Sequence, residues 1–182
     1  MNSFVKYLTN HVVSKLPIHA LRRGWYQRIL GIKIGEGSAI DLGCYVWYFG
    51  PSHLRRAGVR IGSRTKVSRN CCLDARGPIT IGDDVSISPS VAIITTQHCM
   101  GDPGFPLQTK AVVIEDHTWI GMRATLLPGT VVGRGAVIAA GAVARGHIPP
   151  LAVVAGVPAK VVSWRPESAL SYRFAGLTEL FE

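Results

Sequence analysis

A branched aliphatic residue recurs at every sixth position along most of this 182-residue chain. A small or branched residue stands two positions before most of these residues, as Val85 stands before Ile87. A period of six fits neither the 3.6-residue turn of a helix nor the plain alternation of a strand. Because residues two apart on an extended segment point the same way, the pattern predicts short strands with inward-facing pairs and a corner every six residues. The aliphatic positions are Ile34, Ile40, Val46, Ile61, Val67, Leu73, Ile81, Ile87, Ile93, Ile114, Ile120, Leu126, Val132, Ile138 and Ala144.

Three such segments close a triangle of eighteen residues, and successive triangles stack at the ~4.8 Å spacing of neighbouring strands. The sequence therefore predicts an all-β solenoid. A glycine often follows the aliphatic residue, as at Gly62 and Gly82, where a side chain would obstruct the backbone at a corner. A β-sandwich fits less well, because its strands alternate at two without holding a sixfold phase over such a length.

Residues 1–30 do not follow the sixfold pattern, and we predict an N-terminal helical region there. One helix is expected to carry Phe4, Leu8, Val12 and Leu16 on one face and to end near Pro17, and a second to stop at Gly31. This region either caps the first coil or lies as a basic surface on an anionic membrane. We expect the solenoid to span residues 31–165, and a short C-terminal helix to occupy residues 166–182.

Composition and charge limit the classes of function. The residues are 47% hydrophobic and only 8% aromatic, which predicts a packed core of Val, Ile, Leu and Ala and excludes a disordered chain. The net charge of +9 is dispersed without a nucleic-acid motif, so we expect no nucleic-acid partner. No apolar stretch approaches the ~20 residues needed to span a bilayer. Four cysteines without CxxC spacing and no recognisable signal peptide predict a cytoplasmic protein. Its basic N-terminal region leaves open a location at the inner membrane face.

The segments "IGDDVSI", "HTWIGMRATLLPGTVVGRGAVIAAGAV" and "IPPLAVVAGVPAKVV" resemble the hexapeptide-repeat acyltransferases. The resemblance covers about residues 31–165, is most specific over 114–162, and is greatest to the branch that acetylates maltose, colanic acid and capsular polysaccharides. It implies a left-handed parallel β-helix. The spacing alone does not give this hand.

The segment "TTQHCMGDPGFP" interrupts the repeat. From Ile93 to Ile114 is 21 residues, about three more than one coil, which predicts a loop near residues 97–110 with His98 at its base. Imidazole accepts and returns a proton near neutral pH. The resemblance implies that His98 is the general base that activates an acceptor for attack on acetyl-CoA. Cys99 stands where that branch often has Asp, so Asp102 is the candidate to orient the imidazole.

The resemblance also implies the remaining site residues. A backbone N–H near residue 121 or 122 is the candidate oxyanion donor. Because one convex solenoid offers no cleft, the resemblance implies a homotrimer whose sites lie between neighbours. Candidate cofactor-binding residues are Gly121, Met122, Ala140, Gly141, Arg145, Lys160 and Arg165, and candidate substrate-binding residues are Ser68, Asn70, Asp102 and Trp119.

The sequence thus predicts an acetyl-CoA-dependent O-acetyltransferase that modifies a sugar hydroxyl in exopolysaccharide or capsule assembly. N-acetylation of an amino sugar, serine, an antibiotic or another amine stays open, as does a non-catalytic scaffold. A metal protein like the γ-class carbonic anhydrases is a further alternative, because His98 and His117 are nineteen residues apart and would stack on adjacent coils. No third ligand is evident, so we predict no metal.

Overall fold

A computed structural model describes residues 2–174 and their side chains from Ser3 onward. Three sheets of short parallel strands form the faces of a prism, named here A, B and C. The inward pairs predicted from the repeat are buried, as Val85 and Ile87 illustrate. The sixfold pattern is therefore confirmed as the inner lining of a parallel β-helix.

Each face takes one strand from each coil. Face A consists of β1 (Lys33–Ile34), β4 (Val59–Ile61), β7 (Ile79–Ile81), β12 (Val112–Ile114), β15 (Val131–Val132) and β18 (His147–Ile148). Face B consists of β2 (Ala39–Ile40), β5 (Lys66–Val67), β8 (Ser86–Ile87), β13 (Trp119–Ile120), β16 (Val137–Ile138), β19 (Ala152–Ala155) and β20 (Lys160–Trp164). Face C consists of β3 (Tyr45–Trp47), β6 (Cys72–Asp74), β9 (Ala92–Ile93), β14 (Thr125–Leu126) and β17 (Val143–Ala144).

The corners form three edges that run along the prism. The AB edge follows the strands of face A, the BC edge those of face B, and the CA edge those of face C. In the later coils, pairing of Ile114 with Val132 gives the expected eighteen residues per coil. Pairing of Ile61 with Ile81 gives twenty, because the CA corner at residues 75–78 is longer.

Glycines after the strands are needed where stacked coils approach each other. A Cβ placed on Gly62 would lie 2.5 Å from the carbonyl carbon of Gly82. The left-handed corner conformation falls two residues further on, at non-glycine residues such as Asp84 (φ 56°) and His117 (φ 59°). Close packing, and not positive φ, therefore requires these glycines.

Two insertions leave the prism at the CA edge. The first contains helix α3 (Pro51–Ala57), and the second is a hairpin of β10 (Thr96–His98) and β11 (Leu107–Thr109). The predicted excess of about three residues in the second was wrong. Ile93 and Ile114 lie on adjacent faces, C and A, where the step is normally six residues, so the insertion is fifteen residues longer than a plain corner.

The N-terminal region is helical over the expected residues but buries a different face. It contains α1 (Asn2–Tyr7), a π-helical turn (Leu8–Val12), a 3-10 turn (Val13–Lys15) and α2 (His19–Arg28). Phe4 is 67% exposed, whereas Thr9 and Asn10 are buried. The predicted apolar stripe was wrong because the π turn changes the helical phase and the first coil requires polar partners. None of the helices between residues 2 and 174 combines the length and apolar character needed to cross a bilayer.

Polar side chains of the N-terminal region cover the open backbone of the first coil. The Asn10 amide donates to the carbonyl oxygen of Val46 at 3.0 Å, and its oxygen accepts from the Val46 N–H at 2.8 Å. Arg23 donates to the carbonyl oxygens of Ile34, Gly35 and Ser38 at 2.7–3.0 Å. These bonds satisfy groups that have no preceding coil to pair with.

The C-terminal region departs from the predicted helix. Strand β20 turns back antiparallel on β19, and a single 3-10 turn follows at Glu167–Leu170. Residues 171–174 are not helical, and the remainder of the predicted helix, residues 175–182, lies outside the described residues. Within 166–174 the predicted helix is reduced to this single turn, because Tyr172 donates to the His117 carbonyl and the Phe174 N–H to Asp84 along the AB edge.

We expect Asn10→Ala to lower the melting temperature by about 5–10 °C. The change leaves a buried N–H and a buried C=O unpaired, at about 1–3 kcal/mol each. Thermal unfolding followed by circular dichroism measures the shift, with the exposed Lys15→Ala as control. An unchanged melting temperature in the Asn10 variant would contradict the capping role.

Candidate functional site

His98 is exposed at the end of strand β10, on the hairpin that leaves the CA edge. Its Nδ1 lies 2.7 Å from the carbonyl oxygen of Phe105, and the two rings stack at 4.1 Å with an angle of 9° between their planes. A carbonyl oxygen only accepts hydrogen bonds, so the neutral imidazole carries its hydrogen on Nδ1. Nε2 therefore keeps its lone pair and can accept a proton.

The hairpin turn brings the Phe105 carbonyl to the imidazole. Phe105 has φ 46°, a left-handed conformation that costs a non-glycine residue free energy, and such strain recurs at functional sites. The Asp102 carboxylate accepts from the Gly104 N–H at 2.8 Å, and the Asp102 carbonyl accepts from the Phe105 N–H at 2.8 Å. The prediction that Asp102 orients His98 directly was therefore wrong, because Asp102 builds the turn and the Phe105 carbonyl makes the contact.

A buried carboxylate anchors the root of the hairpin. Asp74 is 1% exposed, and its Oδ2 accepts from the backbone N–H groups of Thr95 and Thr96, each at 3.1 Å. Arg76 donates to both oxygens of Asp74, at 2.7 and 3.1 Å, and its guanidinium lies 4.6 Å from the ring centroid of Trp47. Three coils thus fix the position of the segment that leads to His98.

The sequence interpretation missed Asp74 and Arg76. Their signal is the acidic residue in "CLDARG", which occupies a strand position one residue past the repeat's aliphatic Leu73. An acidic side chain is rarely buried without a partner. The position of Asp74 beside Arg76, one coil before the interruption at His98, therefore indicated a buried ion pair at the root of the loop.

Most of the predicted cofactor and acceptor residues lie on the BC edge, one face away from His98. Face C lies between the two edges, so one chain does not bring the two groups together. Gly141 is open, since a Cβ there would meet nothing within 4 Å. The residues on this edge are Ser68, Asn70, Gly121, Met122, Ala140 and Gly141, with Lys160 beside it at the start of β20.

Gly121 does not supply a free oxyanion donor. It is buried, and its N–H donates to the carbonyl oxygen of Ile138 at 2.7 Å. The prediction for Gly121 was therefore wrong in that respect. Of the two predicted donors, only the N–H of the exposed Met122 remains a candidate.

The two remaining predicted cations are far apart. Arg145 is exposed on the CA edge, the edge that carries the His98 hairpin. Arg165 donates to the carbonyl oxygens of His117 and Ala169, at 3.0 and 3.3 Å, on the AB edge. Its predicted role as a phosphate ligand is not supported, because these carbonyls hold the guanidinium as a tether for the C-terminal segment.

Trp119 lines an apolar groove on face B. It is 52% exposed, its indole N–H donates to Ser88 Oγ at 3.1 Å, and the groove of about 620 Å³ is closed on one side by the C-terminal segment. Its neighbours in the groove are Val137, Val153, Arg165, Tyr172 and Phe174. Trp119 is therefore half exposed beside an apolar groove on face B, whereas His98 of the same chain lies on the CA edge.

His117 lies on the AB edge, where Asp84 and Tyr172 surround its imidazole. Its Nε2 lies 3.9 Å from Asp84, and Tyr172 packs edge-on at 5.3 Å. The guanidinium of Arg64, which donates to both Asp84 oxygens at 2.8 Å, holds the pKa of that carboxyl below its usual value. The expected stacking of His98 with His117 was wrong, because they lie on different edges. Between residues 2 and 174, no three His, Cys, Asp or Glu side chains converge as a metal site.

Known proteins share this architecture. The family described as bacterial transferase hexapeptide (six repeats) matches residues 111–146. A hexapeptide-repeat-containing acetyltransferase of Vibrio cholerae superposes with a TM-score of 0.75 and 28% identity, over 91% of this chain and 89% of that one. That protein is also known in complex with acetyl coenzyme A, with a TM-score of 0.63 at 24% identity, over 91% of this chain and 85% of that one.

Two curated relatives are similar in sequence. A putative lipopolysaccharide biosynthesis O-acetyl transferase of Escherichia coli, WbbJ, is 41% identical over 96 residues, 46% of this chain and 49% of the relative. A probable acetyltransferase of Mycobacterium tuberculosis is 30% identical over 167 residues, 83% of this chain and 55% of the relative. The chain thus spans about half the length of these two relatives.

The repeat and the stacked faces, taken with these similarities, define a left-handed parallel β-helix. Residues 111–146 match the hexapeptide transferase family, and over most of its length the chain is similar to a hexapeptide-repeat acetyltransferase.

We expect Asp74→Asn to loosen the hairpin root. The change removes the charge that pairs with Arg76. It also places an amide NH2 group next to backbone N–H groups that need an acceptor. Breaking a buried ion pair costs about 3–5 kcal/mol. Hydrogen exchange should become faster in residues 95–109, and the melting temperature should fall. Asp102→Asn, an exposed carboxylate on the same hairpin, is the matched control and should leave the exchange at residues 95 and 96 unchanged.

Proposed function

We propose that the protein is an acetyltransferase that uses acetyl-CoA and that His98 is its general base. The observation that carries the proposal is the bond between His98 Nδ1 and the Phe105 carbonyl, which leaves Nε2 free to take a proton. A base placed in this way typically contributes about 10²–10⁴-fold to the rate.

The reaction follows from this geometry. Nε2 of His98 takes the proton of an acceptor hydroxyl while the oxygen attacks the thioester carbonyl carbon. The carbonyl oxygen becomes negative in the tetrahedral intermediate, and a backbone N–H such as that of Met122 stabilises it. The C–S bond then breaks, and the imidazolium returns its proton to the departing sulfur. The Phe105 carbonyl and ring stabilise the transient positive charge on His98.

A sugar hydroxyl is the acceptor that the observations favour. The E. coli relative is named for O-acetyl transfer in lipopolysaccharide biosynthesis. Exposed aromatic side chains, Tyr45, Trp47 and Phe49, lie at the end of face C next to the CA edge, where they offer flat apolar surface to a pyranose ring. We therefore propose a role in exopolysaccharide, capsule or related glycan assembly. An amine acceptor would use the same base and would yield an amide in place of an ester.

The complete site is proposed to lie between chains of a homotrimer. His98 and the small residues of the BC edge are separated by face C within one chain. A cyclic arrangement that sets the CA edge of one chain against the BC edge of its neighbour brings them together, with three equivalent sites. Small side chains, as at Ala140, and the open Gly141 leave room there for the pantetheine arm, and Lys160 lies beside this edge at the start of β20.

The N-terminal region fits a peripheral contact with an anionic membrane. Phe4 and Tyr7 are exposed beside Lys6, and the first acidic residue of the chain is Glu36. Sedimentation with phosphatidylglycerol vesicles measures this contact. Equal sedimentation of a Phe4→Ser, Tyr7→Ser variant would argue against it.

We expect His98→Ala to lower kcat by about 10²–10⁴-fold while the dissociation constant for CoA stays unchanged. Release of free thiol and calorimetric titration of CoA measure the two quantities. His11→Ala, an exposed histidine far from the hairpin, is the control. Full turnover by the His98 variant would reject the general base, and resistance of the product to mild alkali would favour the amide.

We expect two inactive variants to restore activity when mixed. His98→Ala removes the base, and Ala140→Trp fills the groove on the opposite edge. If the site lies between chains, random reassembly after co-refolding restores about a quarter of the sites. Activity that stays absent in mixed trimers, or a monomer in sedimentation equilibrium, would contradict the shared site.

A further inference from the structure

A basic cavity lies on face A, apart from the elements that carry His98. Its volume is about 440 Å³, and helix α3 closes one side of it. Four of its ten lining residues are cationic, and none is acidic. The cationic residues are Lys33, Arg55, Arg56 and Arg60.

Like charges are neighbours on the floor of the cavity. Lys33, Arg60 and Thr80 occupy the same outward register on β1, β4 and β7, so their backbones are about 4.8 Å apart. Two adjacent cations repel each other and destabilise a sheet. In the described part of the chain, the side chains of Lys33, Arg56 and Arg60 have neither a hydrogen bond nor an ion pair. This arrangement is favourable when an anion lies between them.

Hydrogen bonds of Arg55 within the protein hold the α3 wall of the cavity in place. Arg55 donates through Nη2 to the carbonyl oxygens of Arg28 and Ile29, at 2.8 and 3.3 Å. Its side chain also packs on Gly31, where a Cβ would lie 2.5 Å from the Arg55 Cγ. Arg55 is thus the positioning residue that joins α3 to the end of α2, and the other three cations face the space.

One end of the cavity lies next to the CA edge, from which the His98 hairpin leaves. Pro78 lines the cavity, and its carbonyl accepts from the N–H of Val112, the residue that follows the hairpin on face A. The adjacent Gly77 donates to Thr95 Oγ1 at 2.8 Å, at the root of the hairpin. The end of the cavity at Pro78 therefore adjoins the root of the hairpin that carries His98.

We propose that this cavity binds the diphosphate group of the acceptor, so that the sugar to be acetylated is linked to a diphosphate. The proposal rests on the proposed acetyl transfer. Guanidinium groups match phosphate oxygens in a bidentate manner, and three free cations neutralise the charge of a diphosphate. Acetyl-CoA also carries a diphosphate, but the small-residue groove proposed for its arm lies on the BC edge of the later coils.

The binding experiment uses the full chain and inorganic pyrophosphate in calorimetric titrations. We expect Arg56→Ala and Arg60→Ala each to weaken binding about tenfold, Arg60→Lys to weaken it less, and added salt to weaken it further. Arg173→Ala, which removes an exposed arginine outside the cavity, should leave binding unchanged. No binding of pyrophosphate, wild-type affinity in the Arg56 and Arg60 variants, or displacement of pyrophosphate by CoA would overturn the proposal.

Two further arms identify the source of the diphosphate. Uridine diphosphate tests a nucleotide-linked acceptor, and vesicles that contain a polyprenyl diphosphate test a lipid-linked one. Binding of either that depends on Arg60 supports the proposal, and binding of neither overturns it.

Kinetics separate this proposal from the proposed function. With a diphosphate-linked sugar, Arg60→Ala should raise KM about tenfold at constant kcat, and with the free sugar it should change neither. Equal KM values for the two sugars in the wild-type protein would overturn the diphosphate site and leave acetyl transfer standing. Pyrophosphate binding without any thiol release from acetyl-CoA would reject the proposed function instead.

Discussion

The backbone of each inner coil is hydrogen-bonded to the coil before it and the coil after it, and the rest of the molecule depends on this constraint. Because each strand pairs with strands of the coils on either side, additional residues can be inserted only at the corners between faces. Both insertions, α3 and the His98 hairpin, do so at the CA edge. The ladders also leave two open ends. Asn10 and Arg23 cover the first, and strand β20 folds back over β19 to cover face B at the other.

The same rigidity gives the candidate base its position. Asp74 belongs to a buried strand, and it receives two backbone N–H groups from the root of the hairpin. The antiparallel pairing of β10 with β11 then fixes the backbone at His98, whose imidazole is oriented by the Phe105 carbonyl. Because a backbone carbonyl supplies that contact, the orientation depends on the conformation of the turn, which the Asp102 carboxylate helps to hold.

Within one chain, the three edges of the prism carry different groups of residues. The candidate base His98 lies on the CA edge, the small residues proposed to receive the thioester lie on the BC edge, and the AB edge is occupied by the Arg64–Asp84–His117 contacts. In the proposed trimer, contact between neighbouring chains brings the CA edge of one chain next to the BC edge of another. The basic cavity beside α3 adds a separate binding surface next to the edge that carries the candidate base, which is why we assign it to the acceptor and not to the thioester.

The hexad repeat by itself determined the coil, its inward residues and the interruption at His98, because each depends only on the spacing of residues close in sequence. Tertiary structure decided the rest. The length of the interruption depends on which face each flanking strand joins, and the buried face of the N-terminal region depends on the polar groups that the first coil leaves open. The partners of Asp74, His98 and Arg165 come from other coils or from a turn, so no local pattern specifies them. Contacts between residues far apart in the chain form only once the coils stack, and they decided which predicted side chains meet and which lie on separate edges.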